Sequence, residues 1–496
     1  MFPILFSLLL FAPAQDLARN STAARPGGQS EGGRPDLHAR AEQARARGDL
    51  VAARKIYERV LAATPRDGRA AVGLGETLLE LEDFAAAEEL LARVIRALPE
   101  RPEPRRVLAL VYLRLGREKE ALAEAAKAVE LDPKSPEGHV SYGAALNALG
   151  RSAEAIRAFQ KALAIRPRSL PALHGLARVY AALEDPRAEA TFEQVLAIAP
   201  KNLSVRFDLI EYLWQVRRFE EGNAAMERLL REIPPNPKLH GHYARALMEQ
   251  NRFVLAAREF EQACRGKACD SELLELWGSA LLENGRFEEA ASRYRDAIST
   301  SPDRISARHT LGRLLLLKGD ASAAVDELRR ASELQPDSAP VLLDLGRALE
   351  ASGSLVEAES AYRKALQLEP ALSRTHYALG TLLARTQRRE EAREHIALYQ
   401  DYFQKEQEHR LRQSSRRAEL NLGWTQLKRN RLEESLAQFR RHPDDVEALR
   451  GAAAALSRLG RHAEAAKALE HALVLSPDDN RVRHELDREY ARRRAK

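Results

Sequence analysis

The chain has 496 residues, of which 45% are hydrophobic, 30% are charged and 6% are aromatic, a composition typical of a globular protein rather than a disordered or fibrous one. The 78 Lys and Arg nearly balance the 72 Asp and Glu, and the formal net charge is +6. Because acidic and basic residues alternate in almost every segment, the sequence lacks the basic stripe typical of nucleic-acid binders. Its longest apolar run is also shorter than the ~20 residues of a membrane-spanning helix.

The N-terminus predicts a signal peptide over residues 1–14. An apolar stretch from Phe2 to Phe11 precedes Ala12-Pro13-Ala14, the small-x-small pattern that signal peptidase cleaves. This predicts export to the periplasm or the medium. Because no Lys or Arg precedes the apolar core and the segment is short, the alternatives are a retained membrane anchor and a cytoplasmic protein. Residues 15–33 are rich in Gly, Ser, Pro and Arg, which predicts a flexible linker.

From residue 34 onwards the sequence is periodic, and prolines recur about every 34 residues or at multiples of that spacing in most of the chain. They are Pro65, Pro99, Pro133, Pro167, Pro200, Pro234, Pro302, Pro336, Pro370 and Pro477. With the proline as position 32, position 8 is usually small and position 20 is nearly always Ala, as in Gly346 and Ala358. Small residues at both positions allow two antiparallel helices to approach closely. Position 24 is large, as in Tyr362, and Gly at position 15 ends the first helix.

This pattern strongly resembles the tetratricopeptide repeat, a helix-turn-helix unit that stacks into a right-handed superhelix in that family. The resemblance implies an all-α solenoid of about thirteen repeats, with eleven in residues 34–399 and two in residues 416–477. Residues 478–496 predict a C-terminal capping helix, because Val482, Leu486 and Tyr490 form one apolar stripe.

Three departures from the repeat pattern predict looser helix packing. The fifth repeat lacks one residue near Glu184 and Asp185, the sixth has Ile210 and Gly222 at its two small positions, and the twelfth has Ser435 and stops early. Between the eleventh and twelfth repeats, residues 390–416 contain no Gly or Pro, which predicts one extended helix. Its projecting part, 400–415, is interpreted as a solvated spacer, with a dimerisation helix that binds in a groove as the alternative.

The sequence contains no Gly-rich phosphate loop, HExxH, GxSxG or CxxC motif. Repeats occupy nearly the whole mature chain and leave no room for a catalytic domain, so we expect no enzymatic activity, no cofactor and no metal. Cys264 and Cys269 flank Gly266, which permits the tight reversal that a disulfide needs. A disulfide is favoured in an oxidising compartment; two free thiols or a metal site are the alternatives.

The resemblance further implies a concave groove, lined by first-helix positions 2, 5, 9 and 12, that binds extended or helical peptides. The candidate groove residues are Arg178, Arg245, Arg313 and Arg347 at position 9, His174 and His309 at position 5, and the rings of Phe207 and Trp214. The arginines predict binding of an acidic or carboxylate-bearing segment by bidentate pairing. Solvated arginine in an Arg-rich composition is the alternative. The family's carboxylate clamp for chaperone tails is not reproduced in any three consecutive repeats.

The sequence therefore predicts a non-enzymatic interaction scaffold that binds a protein or peptide partner, in an exported or periplasmic complex. An intracellular adaptor or assembly factor is the alternative. An RNA-binding repeat protein would need base-reading side chains at fixed positions of each repeat, and those positions vary irregularly here.

The first prediction concerns the mature N-terminus. Cleavage after Ala14 gives a chain that begins near Gln15 and is found outside the cytoplasm. N-terminal sequencing of the native protein tests this directly. Recovery of Met1 on a cytoplasmic protein, with both cysteines freely alkylated in the same extract, would contradict it.

Overall fold

The computed structural model describes residues 36–266 and 269–494, and within these ranges the chain forms 26 α-helices and no β-strand. The predicted signal peptide and linker, 1–14 and 15–33, lie outside the described residues. The all-α fold predicted from the periodicity is confirmed, because consecutive helices pair as the repeat pattern requires.

Repeats 1 to 6 each contribute a first and a second helix. These are α1 (Leu37–Ala46), α2 (Leu50–Ala63), α3 (Gly68–Glu80), α4 (Phe84–Ala97), α5 (Pro102–Arg114), α6 (Glu118–Leu131), α7 (Pro136–Ala148), α8 (Ser152–Ile165), α9 (Leu170–Ala182), α10 (Arg187–Ile198), α11 (Leu203–Gln215) and α12 (Phe219–Glu232).

Repeats 7 to 11 continue the same alternation. They comprise α13 (Pro237–Glu249), α14 (Phe253–Ala263), α15 (Ser271–Glu283), α16 (Phe287–Thr300), α17 (Ile305–Leu317), α18 (Ala321–Leu334), α19 (Ala339–Ala351), α20 (Leu355–Leu368), α21 (Ser373–Arg385) and α22 (Arg389–Lys428). The C-terminal part consists of α23 (Leu432–Phe439), α24 (Val446–Arg458), α25 (His462–Leu475) and α26 (Asn480–Arg494).

The chain divides into two compact bodies. The terminal body contains the residues up to Ala225 together with those from Leu422 onwards, and the middle body is Met226–Asn421. In the terminal body α1 to α11 pack consecutively, as do α23 to α26, and in the middle body α13 to α21 do the same. The predicted extended helix lies within α22, whose 40 residues include the proposed spacer 400–415 and continue to Lys428.

Side-chain caps explain where many of the first helices begin. The carboxylate of Asp67 accepts a hydrogen bond from the backbone N–H of Ala70, and the hydroxyl of Ser135 accepts one from Gly138, which satisfies amides that a helix start leaves unpaired. The proline that defines the period lies before this cap. Pro133, for example, directly follows Asp132, whose carbonyl accepts a hydrogen bond from the backbone N–H of Ser135, so the periodic proline begins the inter-repeat turn and does not form the first helical turn.

The helix crossings are packed as the small and large positions predict. In the middle body Ala358 and Tyr362 are fully buried, and a Cβ built on Gly346 would lie 2.4 Å from the Tyr362 ring. In the terminal body a Cβ on Gly143 would lie 3.0 Å from the Phe159 ring. The large ring at position 24 therefore occupies the space that the small residue at position 8 leaves empty.

The prediction of looser packing is wrong for the sixth and twelfth repeats. Ile210 is buried, and the Trp214 ring fills the space beside Gly222, where a Cβ would lie 2.5 Å from it. In the twelfth repeat the buried Ser435 hydroxyl donates to the Gly423 carbonyl at 2.9 Å. A ring or a hydrogen bond from a neighbouring residue thus compensates for each unusual residue at a small position. The repeat pattern, which considers one position at a time, does not predict this compensation.

The C-terminal helix α26 has part of the predicted apolar stripe, since Tyr490 is only partly buried. Val482 and Leu486 are buried, and α26 packs against α25. The carboxylate of Asp479 accepts hydrogen bonds from the backbone N–H groups of Arg481 and Val482, which caps the helix start.

In the middle body Cys264 and Cys269 form a disulfide, with their Cα atoms 5.3 Å apart. Cys264 caps the end of α14, and Gly266 has a φ of 74°, in the left-handed region where Gly is favoured. Gly266 therefore supplies the left-handed conformation just after Cys264.

The helix crossings generate the second prediction. Gly346→Ala should lower the free energy of unfolding by about 1–3 kcal/mol, since its Cβ would overlap the Tyr362 ring. Gly241→Ala is the matched control in the same body, because its Cβ would meet Leu273 only at 3.4 Å. That variant should gain up to about 1 kcal/mol of helix propensity. Urea unfolding followed by circular dichroism measures both, and equal effects of the two substitutions would contradict the packing model.

Candidate functional site

The first-helix face of repeats 1 to 3 contains a pocket of about 590 Å³ in the terminal body. Its lining includes Glu42, Arg69 and Glu76, which occupy positions 9, 2 and 9 of their repeats, together with the buried ring of Tyr57. The groove positions implied by the resemblance therefore do line a cavity here, although no residue of this pocket was among the predicted site residues.

An ion-pair network spans this pocket. Glu76 accepts hydrogen bonds from Arg45 and Arg106, each at 2.6 Å. Burial opposes the charge of Glu76, but Arg106 and Arg45 hold its pKa below the ordinary value. Glu80, which lies 3.3 Å from Arg45, has its pKa raised to about 7 by burial and by the nearby Glu76. Three consecutive repeats are thus connected by charges that already have partners.

Repeats 5 and 6 bring two of the predicted residues together in the terminal body. The Nε2 atom of His174 lies 2.6 Å from an oxygen of Asp208, and the Nε atom of Arg178 lies 3.7 Å from the same oxygen. Asp208 occupies position 6 of the next repeat, and the sequence analysis did not select it. The sequence pattern that could have identified Asp208 is an acidic residue at position 6 of a repeat, when the preceding repeat has His at position 5 and Arg at position 9.

Glu211 adds a second carboxyl group to this cluster. Burial, with a contribution from Asp208, raises the pKa of Glu211 to about 7, and Arg178 offsets only part of this shift. The cluster of His174, Arg178, Asp208 and Glu211 therefore has no excess of positive charge.

The two predicted aromatic residues have different surroundings. Phe207 is only 4% exposed, so the prediction that its ring lines the groove is wrong, because the ring is part of the core. Trp214 is half-buried, and its Nε1–H donates to Asn223 at 2.9 Å. Its ring packs beside Gly222 and serves the crossing of α11 with α12.

In the middle body Arg245 lies 2.9 Å from Glu272, and both side chains are about half exposed. Arg245 is therefore matched one to one with a carboxylate. Burial and the neighbouring Arg245 lower the pKa of His242 on the same helix, which leaves this part of the face without an excess of either charge.

Repeats 9 and 10 bring together the remaining three predicted residues around a single acid. The carboxylate of Asp344 lies 2.9 Å from His309, 3.6 Å from Arg313 and 3.3 Å from Arg347. The Asp344 side chain is only 13% exposed, whereas that of Arg313 is 61% exposed. One carboxylate thus faces three basic groups, and Arg313 presents its guanidinium to solvent.

The described residues, 36–266 and 269–494, contain no group of three or more His, Cys, Asp or Glu that could hold a metal ion. In the same ranges no helix has the length and apolar character required to cross a bilayer.

Comparison with protein families identifies the repeat. Models described as tetratricopeptide repeat match residues 44–111, 78–140, 135–201, 207–271, 281–349, 339–372, 373–397 and 420–480. The chain belongs to the tetratricopeptide repeat family. The match over residues 420–480 begins within the long helix α22.

Solved structures of MamA are similar to about a third of this tetratricopeptide repeat chain. MamA 41-end from Desulfovibrio magneticus RS-1 is 22% identical with a TM-score of 0.33, and the match covers 34% of this chain and 96% of that chain. A crystal structure of MamA is 20% identical with a TM-score of 0.32, covering 33% and 96%. MamA MSR-1 is 23% identical with a TM-score of 0.32, covering 34% and 98%. No curated protein matches the chain.

The third prediction follows from the buried Glu211. Because its pKa is raised from 4.5 to about 7 in the folded protein, the native state holds this proton more tightly than the unfolded state does. Stability therefore decreases as pH rises from about 4.5 to about 7, and the whole cost is present above that range. Glu211→Gln should raise the free energy of unfolding by roughly 1–3 kcal/mol at pH 8 and by much less at pH 5.

The control for this prediction is Glu193→Gln, at an exposed position of α10. Denaturant unfolding of both variants at pH 5 and pH 8 gives the comparison. A gain for Glu211→Gln that is the same at both pH values would show that the carboxyl group does not titrate in this range.

Proposed function

We propose that the protein is a non-enzymatic scaffold that binds a segment of a partner protein on its first-helix face. Tetratricopeptide repeats form protein-interaction scaffolds, which supports this class of function. The charges on the described face support a more specific site: an acidic or carboxylate-bearing segment binds at repeats 9 and 10 of the middle body.

The observation that carries the site is the arrangement around Asp344. A single carboxylate cannot neutralise both Arg313 and Arg347, so the cluster retains positive charge. Arg313 and Arg347 are 61% and 39% exposed at their side chains, and a guanidinium can donate two parallel hydrogen bonds to an incoming carboxylate. A ligand carboxylate would therefore share these arginines with Asp344.

This proposal is narrower than the four-arginine groove expected from the sequence. Arg245 is balanced by Glu272, and Arg178 lies in a cluster that contains both Asp208 and Glu211. An acidic ligand at either place would gain no net attraction. The excess charge at Asp344 therefore favours repeats 9 and 10.

We also propose that this scaffold works outside the cytoplasm. The support is the Ala12-Pro13-Ala14 pattern near the N-terminus and the pairing of Cys264 with Cys269, since disulfides persist in oxidising compartments.

The fourth prediction uses a fluorescent hexaglutamate peptide as the probe, followed by anisotropy. Arg313→Ala/Arg347→Ala should weaken binding by roughly 2- to 30-fold, the range for two partly exposed charge contacts. Asp344→Asn should strengthen binding, because it removes the carboxylate that competes for the arginines. Added salt should weaken binding to the wild type, since these charges are screened over ~8–10 Å at physiological ionic strength.

The matched control is Arg329→Ala/Arg330→Ala on the second helix α18, where both side chains are at least half exposed. It removes the same charge from the same body and should leave affinity nearly unchanged. Equal losses in the two double variants would indicate attraction to net charge alone. An unchanged affinity in Arg313→Ala/Arg347→Ala would exclude repeats 9 and 10.

A further inference from the structure

The shortened turn of repeat 5 contains a buried carboxylate. Glu184 adopts a φ of 54° at position 15, where some repeats have Gly and others, like this one, have another residue in the same conformation. The side chain of the next residue, Asp185, is only 1% exposed. Its carboxylate lies 2.7 Å from Arg187, 3.1 Å from Arg488 and 3.5 Å from His484. A buried charge is tolerated only when it is paired, and two of these three partners belong to α26.

The contact between α26 and this turn joins the two parts of the terminal body. Arg481 lies 2.8 Å from Glu184, so two successive acids of the turn are each paired with a base of α26. The side chain of Asn480 also lies against Gly150, the equivalent turn of repeat 4. Residues almost three hundred positions apart in sequence are thereby placed in contact.

The helix α26 makes two kinds of contact. Val482 and Leu486 are buried, α26 packs against α25, and Glu489 also pairs with His462 of α25 at 2.8 Å. The apolar part of this packing is not screened by salt. Towards repeat 5 the helix presents Arg481, His484 and Arg488, and the two arginine side chains are 29% and 40% exposed. In the Arg481–Glu184 pair both side chains are partly exposed, at 29% and 35%, and such ion pairs weaken as ionic strength rises.

Asp185 supplies a charge that persists over the ordinary pH range. Burial opposes its ionisation, but hydrogen bonds from His484 and Arg187 hold the pKa of this carboxyl well below its usual value. From α11, the Tyr212 hydroxyl donates a hydrogen bond to the Asp185 backbone carbonyl at 3.4 Å. The Asp185 carboxylate therefore stays negatively charged over the ordinary pH range, and the basic side chains of α26 determine the strength of the contact.

We propose that α26 is an electrostatic latch that closes the terminal body. Its apolar face keeps it attached to repeat 13, while its basic face docks reversibly on the Glu184–Asp185 turn of repeat 5. Rising ionic strength releases the docked face without unfolding the repeats. Release uncovers the acidic turn and the bases Arg481 and Arg488, so that the latch controls access to both surfaces.

The fifth prediction tests the latch by hydrogen exchange on the full chain. Arg481→Gln/Arg488→Gln should accelerate exchange in peptides covering 180–190 and 477–494 by roughly three- to tenfold, the effect of losing two partly exposed ion pairs. The wild type should approach the same rates as salt is raised from about 0.15 M to 1 M. Exchange in α24 and the helical circular dichroism should not change.

The control Arg492→Gln/Arg493→Gln removes the same charge from exposed positions of the same helix. The side chain of Arg492 contacts Ser457 of α24 and Glu489 of its own helix, so this variant should leave exchange at 180–190 unchanged. In an Asp185→Asn background, Arg488→Gln should have little further effect if the two residues act as a pair.

Three outcomes would overturn the latch. Wild-type exchange at 180–190 that does not depend on salt would show that the contact is not electrostatic. Equal acceleration of hydrogen exchange in the two double variants would show that the effect comes from the net charge of α26 and not from the specific ion pairs. Acceleration throughout the repeats would show that α26 is an inseparable part of the fold. None of these results depends on whether repeats 9 and 10 bind an acidic peptide.

Discussion

The close approach of two helices within each repeat is the constraint on which the rest of the structure depends. A small residue on the first helix leaves room that a ring or a branched side chain of the second helix fills, as Gly346 and Tyr362 do. The same relation survives where the pattern changes, since Trp214 fills the space beside Gly222. Interiors pack as densely as crystals, so a lost side chain at one position must be compensated by a neighbour.

With the helix axes fixed, first-helix side chains of successive repeats face one another, and their charges become pairs. His174 and Arg178 meet Asp208, and His309 and Arg313 meet Asp344, in each case one repeat further along. These ion pairs connect neighbouring repeats. They also neutralise side chains that would otherwise be available to bind a charged ligand. Around Asp344 two arginines face one carboxylate, and the proposed acidic segment would use this excess of positive charge.

Apolar packing and ion pairs together also determine how the C-terminal helix α26 is placed. A terminal repeat needs a polar outer face to remain soluble, and α26 supplies it over α25. Its outer face is not merely solvated, however, because Asp185 holds Arg488 and His484. A residue deleted from repeat 5 and a basic helix some three hundred residues later thus form one feature of the terminal body.

The sequence by itself determined the repeat, the helical fold, the crossing positions and the apolar stripe of α26, because each depends on local periodicity that side-chain size and polarity encode. It also indicated the reversal between Cys264 and Cys269 and the irregular turn at Glu184. Only the tertiary structure decided that Phe207 is buried, that Asp208 and Asp344 pair with the predicted bases, and that α26 reaches repeat 5. These contacts depend on how helices far apart in sequence are placed together, and a single periodic pattern contains no information about which charges that placement brings within a few ångströms.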